Sequence, residues 1–293
     1  MSRMTVLTDS QWSRIEPLMP CSDGVKSRPF RDHRQVVEGI IYRFRTGIAW
    51  RDLPSNFGPW QTVWKRHHRF STDGTWDRIH AKLVTEADAA GDIIWDVSVD
   101  STINRAHQHA TSLARTTGAE SSYKNLRIEP PDHAIGRSRG GLSTKIHQLV
   151  DGRCRPLVIL LGPGQGGDSP MFAPLMQQLS VARVGPGRPR TRPDRVLGDK
   201  AYSSRGNRAI LRSRSIRAVI SEPADQKGHR RRRGQSGGRP PAFDAAVYRS
   251  RNTVERSFSD HKQWRGIATR YDKHALTYRG GVVLRAITLW LKT

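Results

Sequence analysis

The nine residues Ile93–Ser101, IIWDVSVDS, mark the place where the periodicity of this chain changes. Trp95, Val97 and Val99 alternate with Asp96, Ser98 and Asp100, the period-two pattern of a strand with one face turned to a core. Everything before it reads as helix. Thr8 and Gln11 have capping-box spacing ahead of Trp12, Ile15 and Leu18, and Val36, Val37, Ile40, Ile41 and Phe44 form an amphipathic helix that should stop near Gly47. After the turn PSNFGP (Pro54–Pro59), a further helix is expected to carry Val63 and Trp64 inward and Lys65, Arg66, His68 and Arg69 outward. A compact helical unit with a basic later helix fits a helix-turn-helix DNA reader, and an ordinary solvated face is the bland alternative.

Beyond Ser101 the strand pattern returns. Lys145–Val150 and Pro156–Leu161, joined by Asp151-Gly152, predict a hairpin. A helix should begin near Asp168, a strand should end at Asp199 in RVLGDKAY, and a helix should follow over about Ser204–Ser213. Then come a strand at Ile216–Ser221 and an apolar closing helix near Leu276–Leu291. Strands alternating with helices predict an α/β fold with a mixed sheet. Two segments rich in Gly, Pro and Arg, Val184–Arg195 and Lys227–Pro241, are expected to be mobile basic loops, either linkers or phosphate contacts.

Bulk composition narrows the partner. Fifty Lys and Arg against 26 Asp and Glu give a net charge of +24 over 293 residues, a field suited to a polyanion and above all to nucleic acid. Two cysteines, Cys21 and Cys154, are too few for a disulfide framework. The first residues, MSRMTVLTDSQW, have no apolar signal core, and no run of 18 apolar residues occurs, so a soluble, intracellular protein without membrane contact is expected.

The chemistry centres on Tyr248–Lys262, YRSRNTVERSFSDHK. At about 100° per residue, Tyr248, Arg251, Glu255, Phe258 and Lys262 would share an arc of about 80° on one helix. A carboxylate among cations suits a divalent metal beside a polyanion. Asp100 and Asp199 end strands, and strand-end carboxylates can converge at one edge of an α/β sheet. Such a cluster can hold two Mg²⁺ ions about 3.5–4 Å apart. Other motifs fail: Gly162, Gly164 and Gly167 match GxGxxG, but no acidic residue follows at about 20 positions. The pairs His67/His68 and His107/His109 lack zinc-site spacing, and nothing resembles a P-loop.

Here the chain resembles a known family. VDSTINRAH (Val99–His107), KIHQLVDGRCRPL (Lys145–Leu157), GPGQGGDSP (Gly162–Pro170), VLGDKAY (Val196–Tyr202) and the Tyr248–Lys262 segment are similar to the DDE transposases of bacterial insertion sequences, specifically the insertion-sequence-five family. The last segment matches that family's Tyr-Arg-Glu-Lys signature at Tyr248, Arg251, Glu255 and Lys262, and LTDSQWSRIEPLMP with TGIAWRDLPSNFGPWQTVWKR resembles its helical DNA-binding domain. The resemblance implies a helical domain over residues 1–90, then an RNase H-like catalytic domain over 91–293 with a flexible basic insert at about 223–242. It further implies Asp100, Asp199 and Glu255 as catalytic metal ligands for two Mg²⁺ ions, with Mn²⁺ able to substitute. Tyr248, Arg251 and Lys262 would hold DNA ends, and Lys65, Arg66 and Arg69 would contact the terminal inverted repeats. A bacterial cytoplasmic, nucleoid-associated enzyme acting as a homodimer or larger complex on double-stranded DNA follows by the same analogy. A non-cutting repressor and a nuclease without strand transfer are the alternatives; the intact carboxylate triad favours the transposase. Within the signature, Arg251 lies one turn from Glu255 and could instead be a structural ion pair.

Overall fold

The computed structural model describes residues 6–21, 32–116 and 126–292. Four helices come first: α1 (Asp9–Ile15), α2 (His33–Thr46), α3 (Trp60–Thr72) and α4 (Thr75–Ala89). Thr8 forms the predicted capping box with Gln11, and α2 ends where Gly47 takes up φ 75°, a left-handed turn that favours glycine. The sheet then opens with β1 (Asp96–Ala106), β2 (Gly136–Ser138), β3 (Gly141–Val150) and β4 (Pro156–Pro163). After α5 (Phe172–Gln178) the chain alternates through β5 (Arg195–Gly198), α6 (Arg205–Ser213), β6 (Arg217–Ile220) and α7 (Ala224–Arg232). It closes with α8 (Ala245–Tyr248), α9 (Asn252–Lys262), α10 (Arg265–Ala268), β7 (Thr269–Arg270) and α11 (Ala275–Trp290).

The strands make one mixed sheet, the α/β arrangement expected. β1, β3 and β4 are antiparallel neighbours, while β5 lies parallel to β1 and β6 parallel to β5. This is the sheet of an RNase H-like fold, preceded by an all-helical region. The hairpin between β3 and β4 turns through Asp151–Arg155 rather than two residues. Asp151 accepts N–H bonds from Arg153 and Arg155, and Cys154 takes a left-handed φ of 68°. The face of β1 that alternation assigned to solvent is covered by α9: Ser98 is buried, its hydroxyl receives a bond from Thr253, and Ser257 donates to Gln148 on β3. A polar strand face can be interior when a helix supplies matching hydroxyls and amides.

Every residue of α11 is buried. It packs against α2, α3 and α4 on one side and β4 on the other, where Arg279 donates to the Ile159 carbonyl and Trp290 to that of Pro156. Two glycines allow this depth: a Cβ on Gly281 would lie 2.2 Å from the Phe44 ring, and one on Gly280 2.0 Å from Ser71 Oγ. The buried Arg43–Asp272 pair, at 2.8 Å, ties α2 to the approach of α11. The N-terminal helices therefore share one core with the sheet.

Lys227–Arg232, expected in a loop, is helical in α7. Pro223 precedes the helix, Asp225 occupies its first turn, and His229–Arg232 fill its last, the charge order that complements a helix dipole. Gln226 bonds Ser203 and Arg230 pairs with Glu222, so the helix is tethered although none of its residues is buried.

Candidate active site

The parallel pairing of β1 with β5 sets Val99 opposite Gly198. One residue further along each chain stand Asp100 and Asp199, so the sheet register alone brings these two carboxylates to the same edge. Gly198 permits the closeness, since a Cβ there would lie 3.0 Å from Val99. Asp199 caps the turn Lys200–Tyr202 by accepting the Ala201 N–H at 2.8 Å. Asp100 accepts the Ser101 N–H through Oδ1 and the Arg251 guanidinium through Oδ2, each at 2.8 Å. Burial pushes the Asp100 carboxyl above its ordinary range and the charge of Asp199 adds to this, against the pull of the Ser101 amide and Arg251.

Glu255 reaches this edge from α9. Tyr248–Lys262 is not the single helix its spacing predicted: α8, capped by Asp244, passes through a tighter turn at Arg249–Arg251 before α9 begins. The stripe nevertheless continues across that turn, since Arg251 pairs with Glu255 one turn on. Phe258 goes into the core, whereas the Glu255 side chain is 52 % exposed. Arg251 donates to Glu255 at 2.5 Å and to Asp100 at 2.8 Å, so one guanidinium joins two of the three carboxylates. It is both an intrahelical ion pair and a link into the site. Tyr248 lies under Arg251 at 6.0 Å and against Phe243. Lys262, at the far end of α9, donates to Thr102 Oγ1 at 2.7 Å and to the Ile103 carbonyl, fastening α9 to β1 just past Asp100.

Five further groups gather here that sequence reasoning missed. Asp168 Oδ1 accepts Ser101 Oγ at 2.6 Å and Lys145 Nζ at 2.8 Å, with His147 Nδ1 4.0 Å away. Partial burial works to raise the Asp168 carboxyl, but the Lys145 and Ser101 bonds hold it below the ordinary range. Asp168 reads in sequence only as a helix start; the hairpin register, Lys145 opposite Gly162, is what brings the GPGQGG loop back over Lys145. The fifth is Tyr202, fully buried, with a hydroxyl that has no hydrogen-bond partner among the described residues. Burial and the charges of Asp100, Asp168 and Asp199 hold its phenol well above its usual range, so it is a donor.

Carboxylates on three elements, a buried hydroxyl with no partner among the described residues, and a cation bridging Asp100 to Glu255 are groups whose chemistry suits a divalent metal ion. Among the described residues, the His, Cys, Asp and Glu group whose ligand atoms already lie within 4.8 Å of one another is a different one, Glu129, His133 and His274. Glu129 there accepts the Ala275 and Leu276 N–H groups that open α11, and the positive end of a helix dipole disfavours a cation. The histidine pairs weighed in sequence do other things. His67 is buried and bonds the Thr277 carbonyl, and His107 packs edge-on to His109 at 4.8 Å.

On α3, Lys65 and Arg69 are exposed as predicted, with Arg69 paired to Asp73. Arg66 is not outward: it is 9 % exposed, with its guanidinium over Phe70 at 5.9 Å and near His33. The helix is flanked on more than one side, so a long cation there covers apolar surface rather than facing solvent. His68, also expected outward, stacks on Trp64 and meets Thr277 on α11.

Residues 7–80 match the family described as "Putative transposase of IS4/5 family", and residues 93–289 match "Transposase DDE domain". The chain is 37 % identical to "Uncharacterized protein y4sN" of Sinorhizobium fredii over 112 residues, 38 % of this chain and 86 % of that protein. It is 33 % identical over 118 residues to "Insertion element IS402 uncharacterized 16.2 kDa protein" of Burkholderia cepacia, 38 % of this chain and 80 % of the relative. A third relative, "Putative transposase for insertion sequence element IS6501" of Brucella ovis, is 29 % identical over 151 residues, 52 % of this chain and 100 % of its own length. No solved structure matches. Among the described residues no helix is long and apolar enough to cross a membrane. The chain belongs to the IS4/5 family of DDE transposases, metal-dependent polynucleotidyl transferases that act on DNA.

Proposed function

We propose that this chain recognises the terminal inverted repeats of an insertion sequence, cuts DNA at their ends and joins the freed ends to a target by direct transesterification. The observation that carries the reading is the register of β1 and β5, which delivers Asp100 and Asp199 side by side while α9 brings Glu255 within one guanidinium of Asp100. In this reading Asp100, Asp199 and Glu255 hold two Mg²⁺ ions, or Mn²⁺ in their place. Bound there, the ions would polarise the attacking oxygen and stabilise the leaving oxygen of a phosphodiester.

The chain's own groups position the substrate. In cleavage, a water oxygen bonds to phosphorus as the 3′ oxygen departs and takes up a proton. In transfer, that 3′ hydroxyl loses its proton, bonds to a target phosphorus and displaces a target 3′ oxygen. One ester bond forms for each one broken, so transfer needs no ATP and no covalent protein intermediate. Tyr248 and Arg251 face the DNA ends beside the carboxylates, and Lys262 both fastens α9 and adds positive charge. Lys65 and Arg69 on α3 contact repeat phosphates; Arg66, being buried, supports α3 from behind. The exposed arginines of α7 extend the basic surface. Residues 1–90 serve chiefly in repeat binding and 91–293 in catalysis, on a shared core. Two DNA ends must be held together, which calls for a homodimer or larger complex, working in the bacterial cytoplasm. Incubating the protein with labelled repeat ends and Mg²⁺ tests the reading: Asp100→Asn, Asp199→Asn and Glu255→Gln should each abolish nicking and leave repeat binding in place. Nicking at the wild-type rate by any of the three would remove that residue from the site.

A further inference from the structure

Tyr202 closes the turn that Asp199 caps. Its backbone carbonyl is held by Ser204 N–H and Asn207 Nδ2, and its ring packs against Phe172 with centroids 6.0 Å apart. Ring and backbone are thus fixed, yet the hydroxyl is buried without a partner among the described residues. A buried, unpaired hydroxyl is a cost that phenylalanine would avoid while filling the same space. Packing therefore accounts for the ring and leaves the oxygen unexplained.

The surroundings of that oxygen are specific. Asp100, Asp168, Asp199 and Arg251 are the charges that bear on it. Each of these carboxylates already answers other donors: Ser101 N–H and Arg251 on Asp100, Ser101 Oγ and Lys145 on Asp168, and Ala201 N–H on Asp199. Arg251 is the one among these donors that also binds Glu255, so a cation shared by Asp100 and Glu255 competes with it directly. Once Arg251 is displaced, Asp100 keeps only the Ser101 N–H, and the Tyr202 phenol, which feels the Asp100 charge, is an O–H with no acceptor among the described residues.

We propose that Tyr202 is a positioning residue of the metal site, its hydroxyl donating to Asp100 when that carboxylate holds a divalent ion. The proposal rests on the metal site of the preceding section and assigns the outer partner that fixes the orientation of one ligand. It gives the hydroxyl no part in the ion-free protein, which makes the two states separable.

Tyr202→Phe in the full-length chain tests this without touching packing volume. Mn²⁺ affinity, measured by calorimetry in the absence of DNA, should weaken by about 10- to 100-fold. The melting temperature of the ion-free variant should equal or exceed that of the wild type. Unchanged Mn²⁺ affinity would overturn the proposal. So would an ion-free melting temperature several degrees lower, because the hydroxyl would then already be bonded. Asp100→Asn separates this failure from a deeper one: if it bound Mn²⁺ as the wild type does, the metal site itself would be wrong, and the Tyr202 proposal would fall with it.

Discussion

Replacing Arg251 with glutamine should move metal affinity and DNA affinity in opposite directions. The Arg251 guanidinium joins Asp100, at 2.8 Å with side chains 20 % and 22 % exposed, to Glu255, which is 52 % exposed. A hydrogen bond to a charged group that is largely out of water contributes about 1.5–3 kcal/mol. The more exposed i,i+4 pair with Glu255 adds only about 0.3–0.5 kcal/mol. Glutamine can keep one neutral bond of about 0.5–1.5 kcal/mol, so the net loss is about 1–2.5 kcal/mol. At about 2 °C per kcal/mol for a chain of this size, the ion-free variant should melt about 2–5 °C below the wild type. The same interaction opposes loading, because Asp100 and Glu255 must release Arg251 before they can hold another cation. Without it, Mn²⁺ affinity should rise by about tenfold or more, at about 1.4 kcal/mol per tenfold. Affinity for repeat-end DNA should fall, since a phosphate partner is gone. Scanning calorimetry with and without Mn²⁺, titration calorimetry and a gel-shift series would read all three. Weaker Mn²⁺ binding by Arg251→Gln, or an unchanged ion-free melting temperature, would refute the bridging role.

Other parts of the fold give separate tests. Burial holds His67, His147 and His261 at pKa values of about 4 in the folded protein, while the unfolded chain protonates them near their ordinary 6.5. Between those values the unfolded state binds more protons, so stability is full above about pH 6.5 and is lost as pH falls toward 4, by at most about 1.4 kcal/mol per pH unit for each histidine; urea melts across that window should show the slope. Asp272→Ala leaves Arg43 charged and buried, where both partners are 3–4 % exposed, and should cost about 3–5 kcal/mol by urea denaturation. Gly281→Ala improves local helix propensity but drives a methyl group into the Phe44 ring, and a net loss of about 1–3 kcal/mol should appear in the same assay.

Much of this was legible in the residues, for identifiable reasons. The Thr8–Gln11 box, the Gly47 stop and the alternation ending at Asp100 are local patterns, and local hydrogen bonding or pleat geometry decides them. The meeting of Asp100 with Asp199 depends on register, which sequence order leaves open. A three-residue tight turn separates α8 from α9, and a uniform helical period has no way to register that break. Arg66 is hidden from sequence reading because a basic residue reads as solvent-facing until the ring beneath its guanidinium is known. By composition the arginine run of α7 reads as a loop, whereas Asp225 in its first turn and cations in its last favour a helix. Lys145, Asp168 and Ser101 come from three separate segments, and only the hairpin register makes them neighbours. Tyr202 carried no sequence signal beyond its place in VLGDKAY; its unpaired hydroxyl is a property of the folded chain.

Strand transfer by the purified protein tests the central claim most directly. Labelled DNA bearing the element's own inverted-repeat ends, a target plasmid and Mg²⁺ should yield nicked ends and then joined products. Both should be absent in excess chelator, and absent for Asp100→Asn, Asp199→Asn and Glu255→Gln proteins that still shift the repeat DNA. Joined products made at the wild-type level by any one of these variants would contradict the account.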